Sequence, residues 1–74
     1  MQIEVMAVEI SLRRWLEDPE RPRRECIPSA SWKFDPLADQ PYTQKEIDSK
    51  KSFLRSCAPA AFQRLFPREA DSEG

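Results

Sequence analysis

Apolar and polar positions alternate at the start of the chain, Ile3 and Val5 against Gln2 and Glu4. A period of two predicts a strand. Met6, Ala7, Val8 and Ile10 then break the alternation, and Val5, Val8, Leu12, Trp15 and Leu16 also fall on one helical face. The β-branched content favours a strand over residues 2–9; one helix through residue 17 is the alternative. Ser11 is suited to cap a short helix over 12–18, with Leu12, Trp15 and Leu16 on its apolar side and Pro19 as its stop. Glu17 and Asp18 lie at the unfavourable end of that helix's dipole, so it needs packing through Trp15.

Residues 19–31 contain Pro19, Pro22 and Pro28 and read as an extended connector. Trp32 and Phe34 alternate with Ser31 and Lys33, which predicts a brief second strand over 31–34. Asp35-Pro36 marks a turn. The strongest local signal is Thr43-Gln44-Lys45-Glu46, a capping box that starts a helix running to about Cys57. Ile47, Leu54 and Cys57 form its apolar line, with Phe53 beside it. Pro59 would clash with the carbonyl of Arg55, so the helix ends or kinks there, and Pro59 suits the first turn of a new one. Ala61, Phe62, Leu65 and Phe66 form the buried stripe of that last helix, which Pro67 stops. The expectation is a small α+β domain over 1–67 with a polar, frayed tail over 68–74. An all-α arrangement is the alternative.

Composition narrows the chemistry. A chain of 74 residues is one domain at most. It contains no histidine, so the commonest general base near neutral pH is missing. Its two cysteines, Cys26 and Cys57, are too few for a four-ligand zinc site. They are expected to be free thiols, with one disulfide as the alternative, and Cys57 to pack as a small apolar side chain. A single glycine excludes phosphate-cradling glycine loops. These gaps point away from an enzyme and from any cofactor. The first ten residues carry acids where a secretory leader would be basic, and their apolar run is too short to span a bilayer. A cytoplasmic location without membrane contact follows as the expectation.

Charge bears on nucleic acid. About a third of the residues are charged, yet the net charge is −1. Residues 11–26 hold five arginines against four carboxylates. Arg13 and Arg14 are spaced to pair with Glu17, which makes a self-neutralised surface the favoured reading. The order SLRRWL, proline-containing connector, SWKF resembles the winged-helix excisionase proteins of phages. Those place an Arg-Arg-Trp helix in the DNA groove and follow it with an aromatic β-wing. The resemblance covers roughly a third of the chain and implies groove contacts from Arg13 and Arg14 and a wing contact from Lys33. The chain departs from that pattern in having no evident helix before residue 11, acids around its arginines and no positive net charge.

The remaining clue is apolar. Phe53, Leu54, Phe62, Leu65 and Phe66 cluster near the C-terminus with few side chains left to cover them, and an exposed aromatic patch marks a partner site. The expected function is protein binding: a small regulator or inhibitor, of the kind carried by phages and mobile elements, that occludes or bridges a larger protein partner. Trp15, Lys50, Lys51, Phe53, Leu54, Arg55, Phe62 and Phe66 are the candidate contacts. A homodimer is a further expectation, because a lone N-terminal strand seeks a second edge. The excisionase-like DNA-binding function is the alternative.

Overall fold

The computed structural model describes residues 2–72. The order is α1 (Gln2–Glu17), α2 (Arg23–Cys26), a 3-10 turn over Ala30–Phe34, α3 (Gln44–Cys57), α4 (Pro59–Leu65) and α5 (Pro67–Ser72). The fold is all-helical: among the described residues there is no sheet, only one isolated antiparallel bridge between Pro22 and Pro41. The α+β expectation is therefore corrected, and the helical alternative for the N-terminal segment is the one that forms.

The strand expected over 2–9 is the first half of α1. The β preference of Val and Ile is small and depends on context. The spacing of Val5, Val8, Leu12 and Trp15 lets a single helix lay all four against the core, and that burial outweighs the preference. Leu16, expected on the same face, is exposed. Ser11 does not cap a helix start. It lies inside α1, buried, where its hydroxyl donates to the Cys26 carbonyl at 3.2 Å. The second strand, over 31–34, is the 3-10 turn, closed by the Asp35 amide on the Trp32 carbonyl at 3.0 Å. Among the described residues there is no strand for it to pair with.

The C-terminal half follows the local signals. Thr43 and Glu46 form a reciprocal capping box: Thr43 Oγ1 accepts from the Glu46 amide at 3.2 Å, and Glu46 Oε1 accepts from the Thr43 amide at 2.9 Å. Pro59 separates α3 from α4 and occupies the first turn of α4. Pro67 in turn follows α4 and opens α5, so residues 68–72 of the expected frayed tail are helical. Ala70 packs on the core and Lys51 Nζ meets Glu69 Oε2 at 2.8 Å, which ties α5 to α3. Asp35 turns the chain as expected, its side chain accepting from the Leu37 amide at 2.8 Å.

The core lies between α1, α3 and α4, with Leu12, Ile47, Leu54, Ala61, Phe62 and Phe66 at its centre. The Phe62 and Phe66 rings pack at 5.3 Å between centroids. Trp15, Tyr42, Phe53 and Leu65 are partly buried around this centre. Both cysteines are free; Cys26 is fully buried, whereas Cys57, expected on the apolar line of α3, is exposed.

Candidate functional site

The middle of the fold is organised by one buried arginine. Pro22 is extended, with φ −60° and ψ 150°, and hands the chain to α2, whose first residue is Arg23. The Arg23 amide donates to the Gln40 carbonyl and the Arg24 amide to the Ala38 carbonyl, both at 3.0 Å, so the returning segment 37–41 lies against α2. The Arg23 side chain is only 3 % exposed. Its fork grips Glu46: Nε donates to Oε2 at 3.1 Å and Nη2 to Oε1. Nη1 donates to the carbonyls of Leu37, at 2.8 Å, and Gln40, at 3.2 Å. A planar guanidinium is the side chain suited to this, since it carries five donors in a fixed plane and keeps its charge when buried.

Glu46 thus serves two partners, Arg23 and the Thr43 cap. The Arg23 bond, and after it the Thr43 bonds, outweigh burial and hold its carboxyl well below the ordinary 4.5, at about 2. The folded form therefore prefers the ionised carboxylate. Its contribution to stability is complete above about pH 4.5 and is lost as pH falls toward about 2. Solvent around Glu46, whose side chain is 40 % exposed, moderates the size of the effect. Thermal unfolding followed by circular dichroism is expected to show the parent chain losing stability across this window and Glu46→Gln showing a flatter profile. Equal slopes for the two would mean that Glu46 is not the titrating group.

A cleft of about 340 Å³ opens beside this pair, between α1, α3 and the 27–31 segment. Ser11, Arg23, Asp35, Tyr42, Glu46 and Lys50 line its polar wall, two cations against two carboxylates. The Tyr42 ring meets two cations, Lys50 Nζ at 5.0 Å and Arg23 Cζ at 5.6 Å from its centroid. Burial pulls the Lys50 ammonium below the ordinary lysine range and pushes the Tyr42 phenol up. A second cleft of about 320 Å³ adjoins the first and is almost wholly apolar, lined by Ile3, Met6, Ala7, Ile10, Pro28 and Ser29. Ala7, Pro28 and Ser29 belong to both, so the two form one continuous groove along α1. Ile3 is 80 % exposed and Met6 59 %.

The candidate contact residues are divided by the fold. Leu54, Phe62 and Phe66 are buried in the core, and Trp15 and Phe53 pack against it. The aromatic cluster is thus covered from within, by α1 and α5. Lys51 and Arg55 lie over the Phe66 and Phe62 rings at 4.7 and 4.5 Å. Of the eight, only Lys50 faces the groove. Ile3, Met6 and Ile10 were missed as contacts. The signal was present, because three and four residues separate them, but it is visible only once the segment is read as a helix.

The arginines of residues 11–26 are engaged within the chain. Arg13 pairs with Glu9 at 3.1 Å, where Glu17 was expected, and Glu17 instead meets Arg21 at 3.7 Å. Arg14 donates to the Glu25 carbonyl at 3.3 Å, Arg23 holds Glu46, and Arg24 approaches Asp39 at 3.4 Å. Lys33 stands exposed on the 3-10 turn, and among the described residues there is no β-wing to carry it. The arrangement that the excisionase resemblance implies is not formed.

Among the described residues, no three of Cys, Asp and Glu converge as a metal site, and no helix is long and apolar enough to cross a membrane. Compared with protein-family models, curated proteins and solved structures, the chain matches none.

Proposed function

We propose that the chain is a small non-catalytic protein-binding module, a regulator that occludes or bridges a larger protein partner, and that it binds through the groove along α1. The observation that carries this is the two-sided character of α1. Its inner stripe of Val5, Val8 and Leu12 serves the core, while Ile3, Met6 and Ile10 form a second apolar stripe beside Pro28, outside that core. Folding alone gives no reason for the second stripe, and contiguous exposed apolar side chains are the usual mark of an interface. The arginines, each already bonded within the chain, lend no comparable support to DNA binding. Two unbonded cysteines suit a reducing, cytoplasmic setting.

Site-directed photocrosslinking tests the reading. A benzophenone side chain at position 6, in the groove, is expected to give a discrete adduct in an extract of the native cells. The same group at the exposed Ser52 of α3 is expected to give none. Equal labelling from the two positions, or none from position 6, would remove the groove as a contact surface. Sedimentation of the purified chain tells a second copy from a different partner.

A further inference from the structure

Beyond that reading, we infer that the free chain pairs with itself: in a two-fold dimer, Phe34 of each copy enters the apolar part of the other's groove, and Lys33 of each meets Glu4 of the other. The starting observation is a knob beside a hole. Phe34 ends the 3-10 turn and is 90 % exposed, more than any other large hydrophobic side chain among the described residues. Ser31 and Asp35, which flank it in sequence, line the polar part of the groove, and Ser29 lines both parts. The turn therefore runs along the rim, and Phe34 stands there without entering its own groove. The apolar part, between Ile3, Met6, Ile10 and Pro28, has a volume of about 320 Å³. A benzene ring fits an apolar cavity of about 150 Å³. A face that carries both the ring and its receptacle is self-complementary, and a two-fold axis seats two rings at once.

Charge suits the same pairing. The cleft's two cations and two carboxylates balance, so this face holds no excess charge to repel a copy of itself. Lys33 precedes Phe34, and Glu4 stands one helical turn before Ala7, which lines both parts of the groove. Both are exposed, and among the described residues neither is in an ion pair. One lies beside the ring and the other beside its receptacle, so a second copy gives each the counter-charge that its own chain does not. Ion pairs at such a rim set register and contribute little strength. Strength comes from area. Ile3, Met6 and Phe34 leave on the order of 500 Å² of apolar side chain uncovered, near the upper end of what a monomer exposes in one patch. With the polar rim this reaches the about 600 Å² per partner at the low end of stable interfaces. The dimer is therefore weak, and the larger partner binds by displacing the second copy.

Sedimentation equilibrium of the purified full chain, from micromolar to millimolar concentration, tests the pairing. The parent is compared with Phe34→Ser, Lys33→Glu, Glu4→Lys and the double variant Lys33→Glu/Glu4→Lys, each shown by circular dichroism to keep its helix content. All three positions are exposed, so the fold does not depend on them. The parent is expected to dimerise in the micromolar range. Phe34→Ser should raise the dissociation constant about a hundred-fold or more, because two rings leave the interface. Each charge reversal should raise it about ten-fold, since both copies carry the change, and the double variant should return to within about two-fold of the parent. A parent that stays monomeric throughout, a dimer indifferent to Phe34→Ser, or no recovery in the double variant would overturn the inference. The larger partner stands or falls separately. A monomeric chain whose position 6 still crosslinks a different protein would remove the dimer and keep that reading. A Phe34-dependent dimer whose position 6 labels only a second copy would sustain the dimer and remove the larger partner.

Discussion

Replacing Arg23 with alanine is expected to leave much of the population unfolded at room temperature. The substitution removes the donors from four bonds at once, to both Glu46 oxygens and to the Leu37 and Gln40 carbonyls. Losing one partner of a buried ion pair costs about 3–5 kcal/mol. Glu46 retains some water, which places this case near the lower end, at about 3 kcal/mol. A core of this size provides only roughly 3–5 kcal/mol of net stability. Arg23→Lys keeps the charge but not the fork, and should fall between the two. Urea unfolding followed by circular dichroism decides it: an unfolding free energy within about 1 kcal/mol of the parent's would show that the pair is incidental to the fold.

Leu12→Ala is the second large effect. Leu12 is fully buried where α1 meets α3 and α4, and truncation there is expected to cost about 2–5 kcal/mol. Leu16, four residues on, is 42 % exposed, and Leu16→Ala should change stability by no more than about 0.5 kcal/mol. The contrast tests the placement of α1 directly. Similar losses at both positions would mean that α1 presents a different face to the core.

The elements legible in the sequence are those whose physics is local. Thr43 and Glu46 lie three residues apart and satisfy each other's backbone, and Pro59 acts on its own turn, so α3 and its break could be placed in advance. The N-terminal segment was misread for the opposite reason. Ile3 and Val5 recur as a strand would, Val5 and Val8 as a helix would, and the choice is made by Ile47, Leu54 and Phe62, which arrive from far along the chain. Ser11 looked like a helix start because its real acceptor, the Cys26 carbonyl, is fifteen residues away. Arg23 carried no local sign of its role, since Glu46 is distant in sequence and only the Pro22–Pro41 approach brings them together. The contact surface was sought in the aromatics, whose cover depends on α5, a helix concealed in a polar tail. The groove became visible once α1 was a helix with two apolar sides.

Glu46 stands at the start of α3 and also holds Arg23 at the start of α2. The cap of one helix and the anchor of another therefore share a single acceptor. Fraying of the first turn of α3 withdraws the acceptor from Arg23, and with it the reason for 37–41 to stay against α2. One carboxylate thus joins the frequency with which a helix end opens to the frequency with which the 24–40 connector lifts away. The two openings are expected to behave as one cooperative unit, and that unit forms a wall of the cleft beside Lys50.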